Sequence, residues 1–322
     1  MSITRSDFDT ISRRVQLCDY LSVAQIFLAQ NFFLDRDLSS EDIKPRLLGH
    51  WGTCHGINIA YANLHAAFAA DPQFTFVLGP GHGFPALQAN LLLDGELAKI
   101  NSKATFTRSG IEYICRNFSW PGGFPSHASP VTPHVICEGG ELGYALATAY
   151  GTALGHPEKT VAVLIGDGEF ETATTLASLN LPKLFSSRAH GRVIPILHLN
   201  GYKISAPTLA ARTPEADLEG LLSGFGYQPY WIHGDQPEVF QSTLQTALHQ
   251  TQKPPFLILQ TTKGATGPLK VRNRQIANNY LAHQVPLPNA KTDLTERQIL
   301  ATWLKSYNFS ELFRQFSGDS KW

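Results

Sequence analysis

Five short runs of β-branched, aliphatic and aromatic residues, each ending at a cluster of glycine and polar groups, set the pattern of this chain. Phe74–Leu78 runs into Gly79-Pro80-Gly81-His82-Gly83, residues 160–165 into Gly166-Asp167-Gly168-Glu169, and residues 193–199 into Asn200-Gly201-Tyr202. Residues 230–232 run into His233-Gly234-Asp235, and Pro255–Gln260 leads to Thr262-Lys263-Gly264. Apolar runs this continuous are strands buried on both faces, and helix-length segments such as 141–153 and Pro237–His249 separate them. The pattern predicts an α/β fold, a parallel β-sheet sandwiched by helices, with ligands at the carboxyl ends of the strands. Apolar residues at spacings of three and four predict an amphipathic helix over 12–34, closed off by Ser39-Ser40-Glu41-Asp42 and Pro45. A second is predicted over 294–316, after a linker from Pro286 and before a polar tail at 317–321. The expected organisation is a helical lead-in (1–48), an α/β domain (49–285), and a linker with a C-terminal helix (286–322). No internal repeat or low-complexity tract interrupts it.

Composition narrows the partners. The 322 residues carry 26 basic and 26 acidic side chains and are 43% hydrophobic, which suits a globular chain with a real core. With no net charge there is no basic field for a nucleic-acid backbone, and no polybasic run adjoins an apolar stretch, so neither nucleic acid nor membrane is an expected partner. Residues 1–7 lack the apolar segment of a signal peptide and no stretch reaches the roughly 18 apolar residues of a membrane span, so a cytoplasmic location is expected. Cys18, Cys54, Cys115 and Cys137 form no CxxC pair and read as buried, reduced thiols.

Several strand ends carry chemistry. Gly166-Asp167-Gly168 taken alone is an ordinary turn, since Gly and Asp both suit turn backbone. Placed between a buried strand and a helix, with Asn200 just after the next strand, it becomes a candidate for Mg2+. Asp167, Asn200 and the carbonyl of Tyr202 supply the hard oxygens that such an ion needs beside two phosphate oxygens. Glu138-Gly139-Gly140-Glu141-Leu142-Gly143 opens an Ala-rich helix without an ordinary cap. Its glycines either admit phosphate to the helix N-terminus or allow close packing, and both readings stand. Of the twelve histidines, His50, His82, His127 and His283 lie in loop-like stretches beside Gly, Pro or a polar neighbour, where catalytic groups concentrate. His65, His156, His190 and His249 read as surface or core residues. There is no metalloprotease spacing, nucleophile elbow or P-loop.

Taken together, residues 42–52, Gly79-Pro80-Gly81-His82-Gly83, 118–127, 138–144, Gly166-Asp167-Gly168-Glu169 with Glu171-Thr172, 196–204 and 282–286 closely resemble the phosphoketolases, and the resemblance runs over about residues 18–315. It implies the thiamine diphosphate-binding fold and a reaction in which a ketose phosphate (xylulose 5-phosphate or fructose 6-phosphate) is cleaved with inorganic phosphate to acetyl phosphate and an aldose phosphate. By that resemblance Asp167, Asn200 and Tyr202 hold Mg2+, and Gly140, Glu141, Leu142, Gly168, Glu169, Lys263 and His283 hold the diphosphate of thiamine diphosphate. His50, His82, His127 and His283 then face the reacting carbons, and imidazoles titrating near neutrality would suit the proton transfers that open the C2–C3 bond.

Some positions depart from the family pattern. His55 stands in place of Pro, His134 of Gly, Cys137 of His, Ala173-Thr174 of Gly-Pro, Leu179-Asn180 of Trp-His and Ala265 of Trp. None of these removes a metal ligand or one of the four histidines. A phosphoketolase continues into a pyrimidine-binding domain, which supplies the glutamate that contacts the aminopyrimidine ring, and a C-terminal domain. The expectation is therefore a diphosphate-binding subunit of a split enzyme, completed by a pyrimidine-domain chain in a hetero- or homo-oligomer. Two other readings remain open: a subunit of a transketolase-like two-carbon transferase, and a non-catalytic regulatory module of a full-length phosphoketolase.

Overall fold

Each of the five apolar runs is a strand in the computed structural model, which describes residues 5–186, 188–249 and 252–318. In chain order the elements are α1 (Arg5–Phe27), α2 (Cys54–Phe68), β1 (Phe74–Leu78), α3 (Phe84–Leu93), α4 (Arg108–Asn117), α5 (Ala145–Ala153) and β2 (Thr160–Gly166). Then come α6 (Asp167–Phe170), α7 (Ala173–Ser178), β3 (Arg192–Leu199), α8 (Leu209–Arg212), α9 (Glu215–Gly224), β4 (Gln228–His233), α10 (Pro237–His249) and β5 (Pro255–Gln260). A two-residue hairpin pair, β6 (Lys270–Val271) and β7 (Arg274–Gln275), precedes α11 (Leu294–Ser306) and α12 (Phe309–Gly318).

The chain forms two compact units that interleave along the sequence. One takes its residues from 1–58, 82–127 and 263–322, the other from 59–81 and 128–262. The consecutive boundaries expected at 48/49 and 285/286 do not coincide with these divisions.

The second unit holds the sheet, whose five strands run parallel in the order β1-β2-β3-β5-β4. Its central strands are buried on both faces, which is why they read as unbroken apolar runs, whereas the edge strands β1 and β4 are half exposed. Val161, Val163, Ile165, Leu197, Leu199, Phe256 and Ile258 share a core with Ala145, Leu146, Ala149 and Tyr150 of α5 and with Leu218 and Leu222 of α9. Each such Val, Leu or Ile contributes roughly 1.5–3 kcal/mol by leaving water. Pro195 sits in a central strand, where proline is normally excluded. Pairing of β3 with β5 begins only at Ile196, so no ladder bond on that side is lost.

In the other unit α3, α4, α11 and α12 pack on α1. Tyr20 stacks on Phe309 at 4.0 Å between ring centroids, and Phe27 meets Trp303 edge-on. Several buried polar groups are paired: Arg14 with Asp94 at 2.7 Å, and Asp19 with His55 at 2.7 Å and with the Asn58 amide at 2.8 Å. The departure at His55 thus adds a partner for a buried carboxylate.

Three expected elements differ. The helix expected over 12–34 occupies 5–27 instead, because Asn31 and Leu34 adopt left-handed backbone (φ 57 and 53) and Leu28 bridges to Ile43. The helix expected from 141 begins at Ala145, since Gly143 has φ +103. The helix over 294–316 is two helices, broken where Asn308 turns left-handed (φ 50), and Ser317 and Gly318 of the expected polar tail end α12. The rest of that tail, 319–321, lies outside the described residues. Among the described residues no helix is long and apolar enough to cross a membrane. All four cysteines are free, with Cys18, Cys54 and Cys115 buried and Cys137 partly so.

Candidate functional site

The spacing between Asp167 and Asn200 has a simple origin. β2 and β3 are neighbours in register, with Gly166 opposite His198, so the residues just beyond each strand meet. Asp167 is buried, and its Oδ2 accepts N–H bonds from Asn200 (3.0 Å) and Gly201 (2.7 Å) and an O–H bond from Thr208 (3.3 Å). Its Oδ1 accepts the Gly168 N–H at 3.0 Å. Asn200 Oδ1 in turn accepts the Tyr202 N–H at 3.2 Å, closing a turn in which Gly201 has φ +98. A carboxylate, an amide and a backbone carbonyl are thereby gathered at one strand end. Among the described residues no group of three or more His, Cys, Asp or Glu is placed to hold a metal. A cation here would rest on a single carboxylate, neutral oxygens and the ligand's phosphates, the donor set that Mg2+ accepts and softer metals do not select.

The glycine loop before α5 resolves position by position. A Cβ on Gly139 would come within 2.5 Å of Gly81 Cα, and one on Gly143 within 2.4 Å of Thr172 Oγ1, so these two serve close packing. A Cβ on Gly140 would meet nothing within 4 Å, and Gly140, Glu141 and Leu142 are exposed. The open surface at Gly140 leaves room for a phosphate to approach the backbone. Glu169 is buried with its Oε1 accepting the Gly143 N–H (3.0 Å) and Oε2 the Gly166 N–H (3.3 Å). Burial pushes its carboxyl up to about 7, against the lowering effect of those backbone donors. The first glycine of Gly-Pro-Gly-His-Gly makes room for it, since a Cβ on Gly79 would lie 2.0 Å from Glu169 Oε2.

The four marked histidines come together in the other unit. His50 lies at the centre, with ring centroids 5.0 Å from His82, 5.3 Å from His127 and 5.3 Å from His283, while His82 and His283 are 4.9 Å apart. Backbone bonds create this meeting point. The Trp51 N–H donates to Gln284 O (3.0 Å), the Gly264 N–H to Gly52 O (3.1 Å) and the Asn278 N–H to Lys263 O (2.8 Å). His127 Nδ1 shares a hydrogen bond with Ser126 Oγ at 3.0 Å. The Lys263 side chain is buried at 1% exposure.

Titration near neutrality, expected for these imidazoles, does not hold here. Burial first, then the neighbouring His127 and Lys263 charges, lowers His50 to about 4. Burial with Lys263 and His50 lowers His283 to about 3, burial and the surrounding cationic groups hold His82 well below its ordinary value, and burial lowers His127. All four are neutral at pH 7, each with one donor and one acceptor nitrogen. Buried Nδ1 atoms of His50 and His283 have no hydrogen-bond partner, a cost that a ligand's hydroxyl or phosphate would remove.

The residues marked in the sequence thus fall into two groups. Asp167, Gly168, Glu169, Asn200, Tyr202, Gly140, Glu141 and Leu142 belong to the sheet-bearing unit, and His50, His82, His127, His283 and Lys263 to the helical one. Of the remaining histidines, His156 bonds Glu158, His190 accepts the Gly155 N–H, His249 bonds Gln245 O and His65 stacks on Tyr61. Sequence reasoning passed over Thr208 and Thr175. Thr208 left a faint signal as the N-cap of α8, whose Oγ1 accepts the Ala211 N–H. Of the departures, Leu179 is fully buried in the core and Cys137 packs against it. His134 has φ 64, the conformation that glycine adopts without strain.

Comparison with known proteins places this geometry. A family model described as the XFP N-terminal domain matches residues 2–318. A probable phosphoketolase of Rhodopseudomonas palustris (strain BisB5) is 45% identical over 315 residues, covering 92% of this chain and 40% of that protein. A probable phosphoketolase of Brucella suis is 42% identical over 330 residues, covering 97% and 42%. The chain spans about two fifths of the length of these relatives. Among solved structures, transketolase from Leishmania mexicana matches with a TM-score of 0.62 at 18% identity, covering 95% of this chain and 47% of that one. Transketolase from Campylobacter jejuni matches at 0.64 and 16%, covering 96% and 48%. At such identities the likeness is one of fold.

Proposed function

Because the chain belongs to the phosphoketolase family through that family's N-terminal domain, we propose that it provides the diphosphate-binding half of a thiamine diphosphate site, completed by a pyrimidine-domain phosphoketolase-like chain. The observation that carries this reading is the oxygen set of Asp167, Asn200 and Tyr202, held at the ends of β2 and β3 by the Asn200 and Gly201 N–H bonds to Asp167 and the Tyr202 N–H bond to Asn200 Oδ1. Asp167, Asn200 and the Tyr202 carbonyl would hold Mg2+. Gly140, Glu141, Leu142, Gly168 and Glu169, joined by Lys263 and His283, would hold the diphosphate. When bound, the cofactor supplies the electron sink for carbon–carbon cleavage. The protein's part is orientation and proton management. Neutral His50, His82, His127 and His283 would hydrogen-bond the sugar hydroxyls of xylulose 5-phosphate or fructose 6-phosphate, taking and returning protons as the aldose phosphate departs, one water is lost from the remaining two carbons, and inorganic phosphate takes up the acetyl group to leave as acetyl phosphate. We place the reaction in the cytoplasm, in keeping with four unpaired cysteines.

The test is co-expression with pyrimidine-domain chains, followed by isolation of any complex and a hydroxamate assay for thiamine-dependent acetyl phosphate. A complex that makes acetyl phosphate, and loses this with His127→Ala, supports the proposal. A product formed by two-carbon transfer to an aldehyde points to a transferase, and activity that survives His127→Ala points to a regulatory module. Absence of both complex and thiamine-dependent activity with every candidate sinks the reading.

A further inference from the structure

Two carboxylates on the turn that follows β2 are engaged in a way that cofactor contact does not require. Asp167, Glu169 and Glu171 occupy alternate positions from the start of α6. Glu169 accepts the Gly143 N–H at 3.0 Å and the Gly166 N–H at 3.3 Å, and so ties the loop bearing Gly140, Glu141 and Leu142 to the end of β2. Thr175 Oγ1 donates to the Gly143 carbonyl at 3.3 Å from the same side. Glu171 accepts the Leu209 N–H and pairs with the Lys203 ammonium. Lys203 and Leu209 bracket the turn that continues from Asn200 and Tyr202, itself closed by a bridge between Tyr202 and Pro207. Each carboxylate therefore restrains a different loop, and their hydrogen-bond partners do not overlap.

We propose that Glu169 and Glu171 are positioning residues that independently order the diphosphate-bearing loop and the metal-bearing loop before any cofactor arrives. What the two loops hold rests on the function proposed above; their ordering does not. In its ionised form a carboxylate is suited to this task. It accepts two N–H bonds at once, each stronger than a neutral amide would give, whereas a glutamine offers a single acceptor oxygen and turns an N–H2 group toward the second donor. A loop ordered by the fold spares the ligand the entropy of ordering it.

The experiment measures amide hydrogen exchange by NMR on the full chain, together with calorimetric binding of inorganic pyrophosphate in the presence of Mn2+. In Glu169→Gln the Gly143 amide should exchange roughly tenfold faster or more, with Leu209 unchanged. In Glu171→Ala the Leu209 amide should quicken and Gly143 keep its protection. Pyrophosphate affinity should fall roughly fivefold or more in both. Should Glu169→Gln not fold, Glu169→Asp keeps the charge but is too short to span both amides, and the same selective loss is expected. A lower melting temperature with loop protection and affinity unchanged, or loosening of both loops together in either variant, would overturn the proposal. A wild-type chain that bound no pyrophosphate would count against the cofactor reading alone, because the exchange rates still decide the positioning.

Discussion

Lowering the pH should unfold this chain through its histidine cluster, with a proton count that can be worked out. His50 titrates at about 4 and His283 at about 3 in the folded chain, and His82 lies well below its ordinary value. In the unfolded chain all three return to roughly 6.5. At about pH 5.5 His50 and His283 are almost uncharged when folded and about nine-tenths protonated when unfolded, so unfolding takes up about 1.8 protons at these two sites, and His82 adds to the uptake in the same direction. Glu169 works the other way. Its folded value of about 7 lies above its unfolded value, so it is protonated when folded and gives up about 0.9 proton on unfolding. The net uptake from His50, His283 and Glu169 is about 0.9 proton. For the imidazoles the folded pKa is depressed, so their contribution is fully present above roughly pH 6.5 and is lost as pH falls toward the folded values. The corresponding slope from these three groups is about 1.2 kcal/mol of stability lost per pH unit near pH 5.5. Urea unfolding in a weakly buffered indicator solution measures the uptake directly, and midpoints between pH 5 and 6.5 give the slope. His50→Asn and His283→Asn should each remove about one proton. An uptake left unchanged by both substitutions would refute the claim that burial keeps these rings neutral.

Two further outcomes follow from packing. Gly139→Ala, whose Cβ meets Gly81 Cα at 2.5 Å, should destabilise the chain by about 1–3 kcal/mol, whereas Gly140→Ala, with open space around it, should leave the melting temperature nearly unchanged and weaken pyrophosphate binding. Differential scanning calorimetry checks the pair, and equal melting shifts would contradict the division of roles between these neighbours. Phe309→Ala should cost about 3–5 kcal/mol by removing the ring stacked on Tyr20, read from urea midpoints, and a loss below about 1 kcal/mol would mean that α12 contributes little to its unit.

What the chain discloses before folding depends on how local the cause is. β2, β3 and β5 were legible because burial on both faces forces continuous apolar runs, and the pairing of Asp167 with Asn200 followed from two such runs ending alike. The close of α1 was not. Residues 28–34 keep an apolar pattern while Asn31 and Leu34 leave helical backbone, since Leu28, Phe32 and Phe33 are buried without continuing the helix. Asn308 likewise breaks a periodic stretch so that Tyr307 and Phe309 can both reach Tyr20. At the site, residue types pointed to Asp167 with Asn200 and to the four histidines that meet around His50. The low pKa values of those histidines and the bonds from Glu169, Glu171 and Thr208 depend on tertiary neighbours distant in sequence, which no local pattern records.

The interleaving of the two units also has a bearing on the order of synthesis. α1 leaves the ribosome well before α11 and α12, which pack on it. The sheet's unit, made entirely from 59–81 and 128–262, has all its strands before those two helices exist. Vectorial emergence therefore favours completion of the sheet first, while Tyr20 and Phe27 must wait with apolar surface uncovered until Trp303 and Phe309 arrive. The nascent chain's most exposed interval is thus the one in which β2 and β3 already present Asp167 and Asn200 at their ends but His283 has not yet been brought to His50.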